Sequence, residues 1–284
     1  MVQADGKGKL PEIGFGTSEI ANDPQGIGKI VQALACGYRL IDTAAAYENE
    51  QAVGRAVKRA KEELGIKRQE VIISSKLAND AQGYESTLHA FEETQNRLEL
   101  DYLDIYLIHW PIPRDREDDY KELNIASWEA MEKLKKQGKV RMIGVCNFLQ
   151  RHLQNLIMNC EIVPHINQIE MHPRYQQREL LRYCKEQGIT VEAWGPFRNG
   201  RIFDERQLRE IADKHGATVA QICLQWIAGE GAVPLPKSST KRRMEENLEF
   251  HNVKLDTDDI AVIRAMDEAD GHADYWNYKR QLRY

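Results

Sequence analysis

Four polar residues in the first half of this chain have the types needed to move a proton onto a developing oxygen anion: Asp42, Tyr47, Lys76 and His109. A carbonyl that accepts a hydride becomes an alkoxide, and something must stabilise and protonate its oxygen. A phenol, with a reference pKa near ~10, is a poor acid at neutral pH unless its anion is stabilised. A lysine ammonium beside it does that, and a carboxylate beyond the lysine keeps the ammonium charged and in place. Tyr47, Lys76 and Asp42 are those three types, and His109 can donate to the carbonyl oxygen or orient it. Taken singly, each has an ordinary explanation: a packed Tyr or His after a strand, a solvated loop lysine, an aspartate cap. Their weight comes from where the elements place them together.

Apolar, β-rich runs recur along the chain, and helical patterns follow nearly all of them. Strands are expected at Tyr38–Ile41, Val71–Ser75, Leu103–Ile108, Val140–Val145, His165–Ile169, Thr190–Trp194 and Ala232–Leu235, with a weaker one at Phe250–Val253. One amphipathic stretch between them carries Ala52, Val53, Ala56, Val57 and Ala60 on a single stripe, and another carries Val219, Ile222, Cys223, Trp226 and Ile227. A last helix starts at Asp256, a good N-cap residue, with Ile260, Ile263 and Met266 facing inward. Near-continuously apolar strands separated by helices indicate a parallel sheet covered by helices. Eight units predict an α/β fold, a closed (β/α)8 TIM barrel spanning residues 1–284 as a single domain. An open doubly wound sheet is the competitor, but its dinucleotide fingerprint, G-x-G-x-x-G between a strand and a helix, is missing. Gly26 and Gly28 come nearest, with no third glycine after them, and no P-loop is present. Asp5-Gly6 is a turn signal for a short N-terminal β-hairpin able to cover the barrel's bottom. Gly271 to Tyr284, with Tyr275, Trp276 and Tyr278, reads as an irregular C-terminal loop.

Barrel enzymes carry reactive groups where strands end. Those positions hold Asp42, Lys76, His109, Cys146-Asn147, Asn167-Gln168, Trp194 and Lys237-Ser238. Composition sets the outer limits. Of 284 residues, 42% are hydrophobic and 29% charged, enough to bury a sizeable core, and the net charge of −5 has no basic face for nucleic acid. No apolar run approaches the ~20 residues a membrane span needs. Met1 to Leu10 lack the apolar stretch of a secretory signal, and five cysteines without ligand spacing predict free thiols in a reducing cytoplasm and no metal site. No exposed apolar stripe demands a partner, so a monomer is expected.

The motifs around these strand ends resemble those of the aldo-keto reductase family from one end of the chain to the other. They are Gly37-Tyr-Arg-Leu-Ile-Asp42-Thr-Ala-Ala-Ala-Tyr47-Glu-Asn-Glu50, Leu107-Ile-His109-Trp-Pro111, Gly144-Val-Cys-Asn-Phe148, Ile166-Asn-Gln-Ile-Glu-Met-His-Pro173 and Leu235-Pro-Lys237-Ser238. Within the family the chain is most similar to bacterial 2,5-diketo-D-gluconate reductases and prostaglandin-F-synthase-like members. The resemblance implies reduction of aldehydes or ketones by NADPH, with a tetrad of Asp42, Tyr47, Lys76 and His109 and Tyr47 as general acid. It implies that Asn147 and Gln168 hold the nicotinamide carboxamide and that Trp194 stacks on the ring. Lys237, Ser238 and Arg243 would take the adenosine 2′-phosphate, while Glu246 and Asn247 would contact adenine. An arginine fork with a charged lysine is also the better physical match to a phosphate, which favours NADPH over NADH. Trp110 is expected to line the substrate pocket.

The chain departs from the family pattern at several points. Trp194 stands where many members carry tyrosine, Cys146 where serine is common, and Gly195-Pro-Phe-Arg198-Asn199 where serine and leucine are usual. Arg198 or Arg201 would supply charge near the pyrophosphate. Ser18 replaces a frequent pocket tryptophan, which predicts a wider, more polar site open to sugar-derived or dicarbonyl substrates. Two other classes remain at this point. One is an NADPH-binding, redox-responsive partner subunit of the same fold with vestigial catalysis, and the other is a barrel glycosidase using paired carboxylates such as Glu170 and Glu192.

Overall fold

The computed structural model describes residues 2–4, 8–269 and 271–272. Strands β1 (Val2–Ala4) and β2 (Gly8–Leu10) form the expected antiparallel hairpin, with Val2 opposite Leu10 and Ala4 opposite Gly8. The Asp5-Gly6 turn itself lies outside the described residues, as do Tyr275, Trp276 and Tyr278 of the C-terminal segment.

Eight further strands run parallel in chain order: β3 (Phe15–Gly16), β4 (Leu40–Asp42), β5 (Ile72–Leu77), β6 (Leu103–Ile108), β7 (Val140–Cys146), β8 (Ile166–Glu170), β9 (Thr190–Trp194) and β10 (Val233–Leu235). Gly14 N donates to Pro234 O at 2.9 Å and Gly16 N to Pro236 O at 3.1 Å, so the last strand meets the first and the sheet closes into a barrel. The helices wrapping it are α1 (Pro24–Cys36), α2 (Glu50–Leu64), α3 (Tyr84–Leu98), α4 (Tyr120–Lys136), α5 (Gln150–Ile157), α6 (Arg178–Glu186), α7 (Arg206–His215), α8 (Val219–Gly229), α9 (Lys241–Leu248) and α10 (Thr257–Ala265).

The expected eighth strand is corrected. Phe250–Val253 is not in the sheet; Glu249–Asn252 is a 3-10 turn whose buried Phe250 packs in the outer core. The place falls to β3, which is two residues long and too short to show any periodicity. The other seven strands stand where the apolar runs put them, within two residues at either end.

Burial explains the layering. Ile105 and Leu107 of β6 point into the barrel with Leu40, Met142, Ile166 and Val233, while Tyr106 and Ile108 face the helices. Leu10 of the hairpin belongs to the interior cluster, so β2 delivers a plug to the barrel. On α2 the stripe Ala52, Val53, Ala56, Val57 and Ala60 is buried, and Asp256 caps α10 by accepting from Asp258 N and Asp259 N, both at 3.0 Å.

Gly54 sits on that α2 stripe against the end of α3. A Cβ there would stand 2.1 Å from the Leu98 carbonyl oxygen. Alanine normally improves a helix interior by about 1 kcal/mol over glycine. Here the backbone would have to retreat, so Gly54→Ala is expected to destabilise by roughly 1–3 kcal/mol and lower the melting temperature by several degrees. An unchanged or raised melting temperature by calorimetry would contradict this packing.

Candidate active site

At the C-terminal mouth of the barrel, β4 and β5 bring Asp42 and Lys76 together. Lys76 Nζ donates to Asp42 Oδ2 at 2.7 Å, Asp42 Oδ1 at 2.9 Å, Thr43 O at 3.0 Å and Tyr47 Oη at 3.3 Å. Lys76 has no solvent exposure and Asp42 has 4%. An ammonium in that position is tolerable only because its three hydrogens all meet oxygen and one partner is a full countercharge. Its pKa is driven upward: burial pulls it down, and Asp42 more than reverses that.

Tyr47 ends a 3-10 turn (Ala45–Tyr47) that begins just after β4. The turn is held from behind by Asn49, whose Nδ2 donates to Thr17 O at 2.8 Å and Ile20 O at 2.9 Å and whose Oδ1 accepts from Thr43 at 2.6 Å. The His109 ring stands edge-on to the Tyr47 ring, centroids 5.7 Å apart. Burial raises the phenol to about 12 against the pull of Lys76, so it holds its proton across the neutral range. Burial, helped by Lys76, lowers His109 to about 3, leaving a neutral imidazole. The four residues read from sequence therefore meet at one point.

Around them opens a cleft of about 610 Å³ lined by Tyr47, His109, Trp110, Asn147, Gln168 and Trp194, with Lys237 at its edge. Gln168 donates through Nε2 to Asp42 Oδ1 (2.9 Å) and Glu192 Oε2 (2.8 Å), which leaves its amide oxygen for a donor. Cys146 Sγ is near that oxygen at 3.8 Å. Asn147, left-handed at φ 63°, donates to His109 O at 3.1 Å and accepts from the Trp194 indole at 2.8 Å. Ser18 faces the cleft as expected, together with Gly16, Phe197, Asn199, Gly200 and Phe203.

Farther along, Lys237 follows β10 and pairs with Glu19 across the mouth. Ser238 Oγ donates to Thr240 O at 3.4 Å, just before α9 begins. On α9, Lys241 pairs with Glu245 and Arg242 with Glu246, whereas exposed Arg243 has no ion-pair partner among the described residues. Asn247 is 3% exposed and lies against the Tyr38 hydroxyl. Arg198 lies 4.0 Å from Glu268, a residue beyond α10.

The carboxylates of the glycosidase reading do not line this cleft. Glu170 is buried against His172 at 3.2 Å and Glu192 against Gln168, and neither is a lining residue. Among the described residues no cluster of metal-ligating side chains occurs. Thr17, Asn49, Phe197 and Phe203 escaped the sequence reading. Asn49 could have been found from its place in the first motif, but the two phenylalanines sit in a loop with no local signal.

An eight-stranded parallel barrel with a buried cluster of titratable groups on the floor of a mouth cleft has the build of a barrel enzyme. Residues 12–268 match the Aldo/keto reductase family, and the chain belongs to it. It is 44% identical over 260 residues to the glyoxal reductase of Bacillus subtilis (strain 168), covering 92% of this chain and 90% of that one. It is 41% identical over 261 residues to the methylglyoxal reductase DkgA of Escherichia coli (strain K12), with 91% and 90% covered. The crystal structure of a Bombyx mori aldo-keto reductase in complex with NADP superposes with a TM-score of 0.87 at 30% identity, over 98% of this chain and 97% of that one.

The Lys76–Asp42 pair allows a stability test that does not depend on activity. Lys76→Met strands a buried carboxylate and is expected to destabilise by roughly 3–5 kcal/mol. Adding Asp42→Asn removes the stranded charge, so the double variant should be more stable than Lys76→Met alone in urea unfolding. A double variant whose loss equals the sum of the two single losses would mean that the two groups are not coupled.

Proposed function

We propose that this protein reduces aldehydes or ketones to alcohols with NADPH, small dicarbonyls and sugar-derived carbonyls among them, using Tyr47 as general acid. The observation that carries the reading is the Lys76 ammonium donating to the Tyr47 oxygen while Asp42 grips it from the other side. With that oxygen accepting from Lys76, the phenol's own hydrogen is directed away from the ammonium, towards a ligand in the cleft. Neutral His109 donates an N–H to the same carbonyl oxygen without adding charge, and so orients it. As the oxygen becomes an alkoxide, Tyr47 gives up its proton, and Lys76 stabilises the phenolate left behind.

The residues present fit a nicotinamide cofactor. The spare oxygen of Gln168 matches a carboxamide N–H, with Asn147 beside it, and the Trp194 indole borders the place for a flat ring. The cofactor, when bound, supplies the hydride. Lys237, Ser238 and Arg243, at the entrance to α9, form the site for the 2′-phosphate, where the helix N-terminus adds its own attraction. Glu246 and Asn247, on the next turn of α9, take the adenine side. Binding of the phosphate would require Lys237 to exchange Glu19 for it. Trp110 and Ser18 shape the substrate side, and the small polar Ser18 leaves room for hydrated or hydroxylated carbonyls.

The chain acts as one domain, with every group named on a single barrel, and as a monomer. Free thiols at Cys36, Cys146, Cys160, Cys184 and Cys223 fit a reducing cytoplasm. Among the described residues no helix is long and apolar enough to cross a membrane.

Tyr47→Phe is expected to lower kcat for methylglyoxal reduction by roughly 10²–10⁴-fold while leaving NADPH affinity by fluorescence titration nearly unchanged. Retention of most activity would remove Tyr47 as the acid. Arg243→Ala loses a charge-assisted contact worth roughly 1.5–3 kcal/mol, so NADPH should bind about ten- to a hundredfold more weakly while NADH is little affected. Equal losses for both cofactors would place the phosphate elsewhere.

A further inference from the structure

Two carboxyl groups share one amide inside the barrel, and only one of them has a cation. Gln168 Nε2 donates to both Asp42 Oδ1 and Glu192 Oε2. Asp42 also takes both short contacts from Lys76, whereas Glu192 is completely buried and its Oε1 has no hydrogen-bond partner. We propose that Glu192 is a positioning residue for carbonyl reduction, cycling between a neutral and a charged carboxyl that acts on the Asp42–Lys76–Tyr47 chain through Gln168. The proposal rests on the reductase reading above.

The charge balance gives the direction of the effect. With Glu192 neutral, Lys76 and Asp42 cancel, and the phenolate left by Tyr47 adds the first uncompensated charge. With Glu192 ionised, that phenolate would be a third negative charge, and the second uncompensated one, in a site with a single cation, so Tyr47 becomes a weaker acid. The groups facing Glu192 are few. β4 brings Asp42, β5 brings Lys76, β7 brings Cys146 and β8 brings Gln168, while Val233 and Leu235 of β10 are apolar. Tyr47 and His109 feel the same Lys76 that attracts Glu192.

Burial first, and Asp42 second, raise the Glu192 carboxyl to about 7, against the hydrogen bond from Gln168 and the attraction of Lys76. His109 at about 3 and Tyr47 at about 12 lie outside that range, and burial holds the Cys146 thiol higher still. An inflection near neutrality therefore has one source in this cluster. Glu192 does not line the cleft, so it acts on the reaction without touching substrate.

The test compares wild type with Glu192→Gln, which is permanently neutral and nearly isosteric. Wild-type kcat for aldehyde reduction should fall about tenfold between pH 6 and 8.5, one pKa unit's worth of weakened acid. In the variant that fall should vanish, and alcohol oxidation at pH 8.5, which needs the phenolate, should become severalfold faster. A residue that only packs cannot raise a rate in this way. Infrared difference spectra of the protein carrying ¹³C-glutamate provide a second readout that needs neither cofactor nor a folded variant. A protonated carboxyl band present at pH 6 and lost by pH 8.5 supports the proposal, and its absence overturns it. An active wild type whose variant keeps the same inflection overturns the role of Glu192 alone. A folded wild type that turns over no carbonyl overturns the reductase reading and this role with it.

Discussion

An ammonium sealed from water has to find its countercharge inside the protein, and around Lys76 that requirement organises the whole mouth of the barrel. Desolvating a single charge costs several kcal/mol, which the low-dielectric attraction of Asp42 offsets only at short range and good geometry. The parallel register of β4 with β5 sets Asp42 opposite Ser74, two residues before Lys76, so the lysine reaches back to the carboxylate from the strand's end. The same ammonium then has one direction left for its remaining hydrogen, and Tyr47 lies there. The turn carrying Tyr47 is secured through Asn49 to Thr17 and Ile20, segments that follow β3. Closure of the barrel and placement of the phenol are thus parts of one construction.

The barrel interior divides by chemistry along its axis. One end is filled by Leu40, Ile105, Met142, Ile166 and the plug Leu10, which exclude water and support the strands. The other holds Asp42, Lys76, Gln168 and Glu192, a polar layer with one cation and two carboxyls. The apolar end makes the polar end dry, and dryness is what gives a single charge leverage over a proton's position. Near the start of β6, Asp104 gathers Arg68 at 2.7 Å and Arg141 at 3.0 Å, and both guanidiniums stack on Tyr102. That cluster ties strands together away from the cleft, a stabilising arrangement on the rim opposite the chemistry.

The proposed cofactor contacts follow a different logic, because Lys237 and Arg243 lie at the surface. Lys237 is exposed and can leave Glu19 at little cost, since exposed ion pairs are worth only about 0–1 kcal/mol, and exposed Arg243 has no ion pair to give up among the described residues. A phosphate at the proposed site, with several charge-assisted contacts at a helix N-terminus, would outweigh the contact of Lys237 with Glu19. Buried groups set the chemistry, and exposed groups can be exchanged as a ligand arrives and leaves.

Apolar runs of four to six residues, nearly all followed by a helical pattern, were enough to read seven of the eight barrel strands, and strand-end positions picked out Asp42, Lys76, His109 and Gln168. Those features are local, since each segment's pattern records which of its faces it buries. The two-residue strand at Phe15–Gly16 carries no such pattern, and the buried Phe250 imitated one while packing among helices. Which strand closes the barrel is decided by backbone pairing between residues more than two hundred positions apart. The asymmetry between Asp42 and Glu192 has the same origin. Two similar carboxyl side chains on strands became an ion-paired anion and an unpaired acid only when the register set one of them against Lys76 and left the other with an amide. Sequence alone determined which chemistry this chain could hold, and tertiary structure alone decided where each charge would stand, because countercharge and desolvation depend on neighbours that are distant in the chain.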